Sequence, residues 1–384
     1  MDDKRYNNDG NIETPMQDDY TGPIPTYPAV PLKSRRSFWA RLALVLMVLG
    51  VGLYVAGFLS GARGGEIYFE NRRLRFATDG DAEFISMATE PFHSIDVRAS
   101  SSRVIILPGD TYTVVVPTGQ RAPTVDVTNG VLSIDSRLPG RARIHFFSIN
   151  HSGMRDEIRI YFPDNSNANG GIQVTTSSGR IQIDGVSAGY INANSSSGRI
   201  EISNMTTPMS NVNLRSSSGR IAIDNVDITN DLTAQASSGR IEIRNIASPM
   251  NRAYIRSTSG RVSVENLEMA REVTIQTSSG RIDLDRVGWG DLSARASSGR
   301  INIVRGRGIG GSTGGNITLQ TSSGAVNLEI VGNRSDYRYV FNTSSGSMRV
   351  NGERFPGRNF SGGNGTNEIS IRTSSGSIRL DFVR

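Results

Sequence analysis

A five-residue phrase, Ser-Ser-Gly-Arg-Ile, returns about every twenty residues and constrains this chain more than any other feature. Entered at its second serine, it reads Ser178–Ile181, Ser197–Ile200, Ser218–Ile221, Ser238–Ile241, Ser259–Val262, Ser279–Ile282 and Ser298–Ile301. Weaker copies follow at Ser323–Val326, Ser345–Met348 and Ser375–Ile378. From Gly179 to Gly299 successive glycines stand 19 to 21 residues apart. A fixed period of this size marks a repeat architecture, in which each unit buries its apolar side only by stacking on its neighbours.

The unit reads as β. After the glycine, Arg180-Ile181-Gln182-Ile183 alternates, which puts both isoleucines on one face and the polar pair on the other. The pair recurs as Ile200/Ile202, Ile221/Ile223, Ile241/Ile243, Val262/Val264, Ile282/Leu284 and Ile301/Ile303. The next apolar residue comes three positions on, at Val186, Met205, Val226, Ile246, Leu267 or Val287, just after Gly185, Asn204, Asn225, Asn245, Asn266 or Arg286. A period of two broken by Gly or Asn predicts a corner, because those residues best tolerate left-handed dihedrals. Asparagines stacked at such a corner are placed to bond rung to rung through their amides. A second strand, beginning near Ile191, Val212, Leu232, Ala253, Val273 and Leu292, leads back to the serine turn.

Two strands and a short third side make one coil of a parallel β-helix. We therefore expect an all-β, single-chain parallel β-solenoid of about ten regular coils over residues 171–384, right-handed by analogy with crossover connections. At rungs about 4.8 Å apart this is a rod of roughly 45 Å. The short alternating runs between Ile95 and Phe162 predict atypical entry coils over 94–170, since the ends of such an array must cap an exposed core. Gly306–Gly315 and Gly352–Gly365 interrupt the period and read as loops bulging from the rod.

Upstream the character changes. Residues 1–37 begin polar and rich in Asp, Asn and Pro, and read as a disordered tail. Leu42–Leu59 is an eighteen-residue run without a charge, near the length that crosses a bilayer. Lys33, Arg35, Arg36 and Arg41 precede it, whereas only Arg63 follows closely. The positive-inside bias then predicts an uncleaved transmembrane signal-anchor helix over 38–61, a cytoplasmic N-terminus, and export of everything beyond. Residues 62–93 read as a stalk. Acids and bases cancel over 1–61, so the whole net charge of +6 belongs to the exported part.

The chemistry-bearing residues are few. There is no cysteine, and His93, His145 and His151 are the only histidines. The segment with His145, His151, Arg155 and Asp156 is the one irregular concentration of potential acid–base groups, a thin basis for an enzyme. Neither a cofactor nor a nucleic-acid partner is expected, and no metal site. The serine pairs resemble hydroxyl arrays that hold ice or sugars, but serine beside a tight turn ordinarily satisfies local backbone groups. The most specific feature is an arginine ladder: Arg180, Arg199, Arg220, Arg240, Arg261, Arg281 and Arg300. Stacked guanidinium groups suit a phosphate or carboxylate polymer. On the same face stand Asp184, Glu201, Asp224, Glu242, Glu265, Asp283 and Asp285, so the ladder reads first as charge-compensated scaffold. Arg305, Arg307, Phe355, Arg358 and Phe360, in or beside the Gly-rich insertions, are candidate loop contacts.

A membrane anchor, an N-terminal β region and a reiterated Ser-Ser-Gly-x-Ile/Val-x-Ile/Val phrase together resemble the bacterial putative-adhesin family, a domain of unknown function. The resemblance covers roughly residues 90–384. It implies a surface-exposed β-solenoid and adhesion, with no ligand or catalytic residue to carry over. Some relatives are thought to sit near envelope-stress signalling. The expectation is a non-catalytic protein held in the bilayer through 38–61, binding an anionic envelope polymer, a glycan or a surface protein. An accessory or sensor of envelope-stress signalling comes second, and a carbohydrate-active enzyme third.

Overall fold

The structure is a computed structural model. It describes residues 84–117, 122–137, 157–164, 170–308 and 315–384, together with the strands at 65–70 and 73–78. The expected tail (1–37), the expected anchor (38–61) and His145, His151, Arg155 and Asp156 lie outside the described residues. Among the described residues no helix is long and apolar enough to cross a membrane.

Strands β1 (Gly65–Glu70) and β2 (Arg73–Thr78) form a two-stranded sheet, and the other 27 strands belong to a single sheet. The larger sheet opens with β3 (Phe84–Ala88), β4 (Ser94–Ala99), β5 (Arg103–Pro108), β6 (Thr113–Pro117), β7 (Thr124–Thr128), β8 (Val131–Asp135) and β9 (Glu157–Phe162). The regular coils begin with β10 (Gly171–Thr176), β11 (Ile181–Asp184), β12 (Tyr190–Ser195), β13 (Ile200–Ser203), β14 (Met209–Ser216) and β15 (Ile221–Asp224). They continue through β16 (Ile228–Ala236), β17 (Ile241–Ile246) and β18 (Met250–Ser257). In β19 (Val262–Thr277) and β20 (Ile282–Ala296) one strand runs round the corner and serves two sides of a coil. Next come β21 (Ile301–Gly308), β22 (Ile317–Thr321), β23 (Val326–Val331), β24 (Tyr337–Thr343) and β25 (Met348–Val350). The chain ends with β26 (Glu353–Phe355), β27 (Asn359–Gly362), β28 (Asn367–Thr373) and β29 (Ile378–Val383).

Pairing within the regular coils is parallel and in register with the repeat. Ile181 faces Ile200, Ile200 faces Ile221, and Ile221 faces Ile241, all buried. The other side stacks Ile191 on Val212, Leu232, Ala253, Val273 and Leu292. Val186, Val226, Ile246, Leu267 and Val287 close the third side, so apolar rows from three sides meet in one core. Each buried Ile or Leu contributes about 1.5–3 kcal/mol relative to exposure.

The corners follow the residues that tolerate them. Gly185, Asn204, Asn225, Asn245, Asn266 and Arg286 all have positive φ, between 51° and 68°. The amides then link rungs: Asn225 Nδ2 donates to Asn204 Oδ1 at 3.0 Å, Asn266 Nδ2 to Asn245 Oδ1 at 2.8 Å, and Asn245 Nδ2 to Asp224 Oδ1 at 2.8 Å.

At the serine turn the glycine answers to stacking, not to a special dihedral. A Cβ on Gly198 would lie 1.7 Å from the carbonyl oxygen of Gly179, and one on Gly219 1.7 Å from that of Gly198. At Thr176, Ser195, Ser216, Ser257, Thr277, Thr321, Thr343 and Thr373 a buried hydroxyl stands just before the turn, whereas Ala236 and Ala296 hold that position in two coils. Ser216 Oγ accepts from Gly219 N–H at 2.8 Å and donates to the carbonyl of Gly198 at 3.3 Å, and Ser257 makes the same pair of bonds with Gly260 and Gly239 two turns on.

The ends depart from the expected sequential stacking. At the start, β4 lies between β8 and β10, and β5 between β9 and β11, so the first coil in sequence is the second in space. At the finish, β28 lies between β22 and β24, and β29 between β23 and β25, so the last coil is inserted beneath the one before it. The outermost coil at each end is then covered by antiparallel strands, β7 on β8 and β6 on β9 at one end, β27 on β24 and β26 on β25 at the other. Both covers turn on Asn-Gly with two positive φ values, at Asn129-Gly130 and at Asn351-Gly352, the residue pair that a tight two-residue hairpin favours. A stack of parallel strands would otherwise present open edges able to pair with another chain. The antiparallel return covers the parallel edges of β8, β9, β24 and β25 with short strands.

Gly352–Gly365 is accordingly the cover of the outer coil and not a loop bulging from the rod. Phe355 and Phe360 stack with centroids 3.9 Å apart, and Phe360 packs near Tyr339 and Phe341. Arg305 occupies a left-handed corner at φ 48°, and Arg307 lies within β21. Arg305 precedes the expected loop at 306–315, Arg307 lies in its first residues, which continue β21 as part of the rod, and 309–314 lie outside the described residues.

Candidate binding groove

The arginine ladder stands on the outer face of the side formed by β11, β13, β15 and their successors. Four of its seven members form ion pairs there. Arg199 meets Glu201 at 3.1 Å, Arg240 meets Glu242 at 3.3 Å, Arg261 meets Asp283 at 3.3 Å, and Arg220 also pairs with Glu242. Arg180, Arg281 and Arg300 have no ion pair among the described residues. Asp184, on the Arg180 rung, is taken instead by Ser203 Oγ at 2.7 Å and Asn204 Nδ2 at 2.9 Å. The adjoining row adds Arg244 with Glu265 and Arg286 with Glu265 and Asp285.

Two carboxylates on this face are perturbed. Burial is the largest single influence on Glu242 and would raise it, but the hydrogen bond and charge of Arg220, with Arg240 and Arg244, outweigh that and hold its carboxyl below the usual range. For Asp283 burial wins: the carboxyl is pushed up although Arg281, Arg261 and Arg300 oppose it. The face is a mixed surface, paired through its centre from Arg199 to Arg261.

The other broad side, built from β10, β12, β14, β16, β18 and their successors, differs. Four residues before each turn glycine an outward side chain stands in register from rung to rung. The row runs Thr175, Asn194, Arg215, Gln235, Arg256, Gln276, Arg295, Gln320, Arg372 and Asn342. Arginine thus alternates with glutamine from Arg215 to Arg372. Arg215, Arg256, Arg295 and Arg372 are exposed, and their side chains have no hydrogen bond or ion pair among the described residues. The row just outside it is neutral over the same rungs: Asn213, Thr233, Tyr254, Thr274, Ser293, Thr318 and Ser370. Acids return only in the third row, where Glu272 pairs with Arg252 at 3.5 Å. At the entry end Arg98, in register with Thr175, is neutralised by Asp96 at 3.0 Å.

Between this arginine–glutamine row and the rim of serine turns runs a concave surface. Two segments of about 460 and 370 Å³ share Arg256 and Thr258, so they form one groove along the stack. Its floor is Arg215, Gln235, Arg256, Gln276, Arg295 and Gln320, and its rim Ser196, Ser217, Ser237, Thr258, Ser278, Ser297 and Ser322. The turn serines therefore line a groove even though their backbone chemistry is structural. Sequence reading passed over this row. Its signal is the position four before each turn glycine, where the alternation with glutamine spreads the arginines over two coils.

Of the other candidates, Phe355 and Phe360 are half-buried in the end cover, and Arg358 is exposed on it, its carbonyl accepting from Thr343 N–H at 2.8 Å. Arg305 pairs with Asp285 at 3.3 Å, and Arg307 is exposed. They do not converge with the groove. Among the described residues no group of three or more His, Cys, Asp or Glu side chains is placed to hold a metal ion.

The chain is thus an all-β protein of the parallel-solenoid kind with a repetitive polar groove. It belongs to the Toastrack DUF4097 family, whose model matches residues 92–247 and 228–381. No curated protein matches it. Solved structures that it resembles include a putative adhesin from Parabacteroides merdae, at 14% identity and TM-score 0.37, covering 66% of this chain and 94% of that one. A putative lipid binding protein from Parabacteroides distasonis is 16% identical, with TM-score 0.37, over 80% of this chain and 98% of that one. A putative adhesin from Bacteroides fragilis is 12% identical, with TM-score 0.31, over 78% and 97%. Likenesses this low carry no argument about function.

Proposed function

We propose that this chain is a single-pass membrane protein whose exported solenoid binds an anionic polymer of the cell envelope or of a neighbouring surface, and does not chemically alter it. The observation that carries the reading is the groove from Thr175 to Ser322, a repetitive polar surface with exposed arginines that have no ion pair among the described residues. A repetitive ligand matches a repetitive surface, because each rung offers the same contacts. The apolar run Leu42–Leu59 and its preceding bases support the anchor, with the N-terminus inside and the solenoid outside. A second reading, an accessory to envelope-stress signalling, is favoured by the polar segment 1–37 on the far side of that anchor.

The test uses the full chain in detergent micelles, against envelope glycans, teichoic-type polyphosphates and matrix proteins at low and physiological salt. Salt-sensitive binding to a polyanion supports the reading, since exposed charge pairs weaken as ionic strength rises. Binding to none of these polymers contradicts it and turns attention to a protein partner, which removal of residues 1–32 would identify through loss of a signalling phenotype.

A further inference from the structure

The spacing of the unpaired arginines specifies a class of ligand. Arg215, Arg256, Arg295 and Arg372 occur on every second rung, about 10 Å apart at about 4.8 Å per rung. Between them stand Gln235, Gln276 and Gln320, each carrying one amide donor group and one acceptor but no charge. A guanidinium binds a carboxylate through two parallel hydrogen bonds, and an amide suits hydroxyl and acetamido groups. The floor therefore alternates an anion site with a neutral polar site.

We infer that the groove binds a linear acidic polysaccharide bearing one carboxylate per disaccharide, lying along the solenoid axis. In a chain with equatorial linkages successive sugars face opposite ways, so like substituents return to one side at each disaccharide, a distance close to two rungs. Each carboxylate then meets an arginine while the intervening neutral sugar meets a glutamine and the rim hydroxyls of residues such as Ser237 and Ser278. Half-buried Tyr254, beside Arg256 on the same outward face, offers a ring against which a sugar can pack. A poly(glycerol phosphate) brings its charges closer together than the arginines stand, which leaves phosphates opposite uncharged glutamines. On the arginine ladder of the other broad side the central members Arg220, Arg240 and Arg261 are already paired, and the unpaired Arg281 and Arg300 stand on adjacent rungs, not two rungs apart.

The proposal rests on the polymer-binding reading above, and the experiment separates the two. The full chain in detergent micelles is titrated with hyaluronan oligosaccharides of two to ten disaccharides, which carry one uronate per disaccharide. Neutral chitin oligosaccharides and poly(glycerol phosphate) run beside them. The expected result is affinity for hyaluronan that rises with length until about four disaccharides span the four arginines, a length of about 29 Å between the outermost two. Arg215→Gln, Arg256→Gln and Arg295→Gln together should weaken it about tenfold, a few-fold for each exposed pair. Arg220→Gln, Arg240→Gln and Arg261→Gln together should leave it within about twofold. Equal loss in both triple variants, or tighter binding of the phosphate polymer than of hyaluronan, overturns the proposal and leaves the general polyanion reading standing. Binding to no polymer overturns both. Circular dichroism of each variant guards against misfolding, and Arg256→Lys, which keeps the charge without the bidentate fork, should recover only part of the affinity.

Discussion

Gly376 sits directly on Gly324: a Cβ added to Gly376 would lie 2.0 Å from the Gly324 carbonyl oxygen, whereas Gly346 stacks in turn on Gly376. The last coil in sequence is therefore an inner layer. In most solenoids the terminal unit contacts one neighbour, and its loss is graded. Here the C-terminal strands β28 and β29 bond to a coil on each side.

Deleting residues 367–384 should consequently do more than shorten the rod. It strips β24 and β25 of their parallel partners, so the outer coil and its cover lose the layer beneath them. Limited proteolysis of the chain lacking 367–384 should cut throughout 333–366 at protease levels that spare the intact chain. Resistance of that segment would mean the outer coil can dock directly on β22 and β23.

The turn glycines are held by contact and so resist even the smallest side chain. Gly260→Ala would place a Cβ 1.8 Å from the carbonyl oxygen of Gly239. Forcing apart two rungs in a close-packed stack should cost about 2–3 kcal/mol, the upper range for overpacking. Ser259→Ala, at an exposed side chain one residue earlier, should change stability by less than about 0.5 kcal/mol. Urea unfolding of the two variants provides the comparison.

The corner asparagines combine a dihedral and a ladder. Asn245, at φ 54°, donates to Asp224 and accepts from Asn266. Asn245→Ala keeps the strained φ and loses both bonds, for an expected cost of about 2 kcal/mol. Asn245→Gly relieves the dihedral and should recover roughly half of it. An alanine variant as stable as the parent would show that the corner can relax to negative φ.

Glu242 gives the charged face a sign-definite pH dependence. Its carboxyl is held below the ordinary value in the folded state, against the opposing effect of burial, by Arg220 foremost and by Arg240 and Arg244. A depressed folded value contributes stability above the unfolded value, about 4.3, and that stability is lost as pH falls through the folded one. The parent should therefore lose more stability than Glu242→Gln between pH 6 and pH 3 in denaturant titrations. Parallel losses would mean that the arginines do not favour the ionised form in solution.

Much of the fold is legible in the sequence because local rules and the repeat agree. The Ile181/Ile183 alternation, the apolar residue three positions on, and the Gly or Asn before it define two strands and a corner without reference to any partner. The order of coils at the ends is not legible, because a stacking phrase such as Ser375-Gly376 states how a coil packs and not upon which neighbour. The covers were signalled at Asn129-Gly130 and Asn351-Gly352, but a tight hairpin does not disclose which coil it will close. The charged face was readable from Arg220 and Glu242, both bound to the repeat. Arg215, Arg256, Arg295 and Arg372 were harder to see, since their row repeats every two coils and becomes a surface only when glutamines and serines from separate rungs are brought together.

The central claim is that the arginines of the groove, and not those of the paired ladder, receive the anionic polymer. Arginine-selective modification with phenylglyoxal, read by mass spectrometry on the full chain with and without saturating hyaluronan oligosaccharide, tests it most directly. The account predicts protection at Arg215, Arg256 and Arg295, with modification at Arg240 and Arg261 unchanged. Protection at Arg240 and Arg261 while the groove arginines react as before would contradict it.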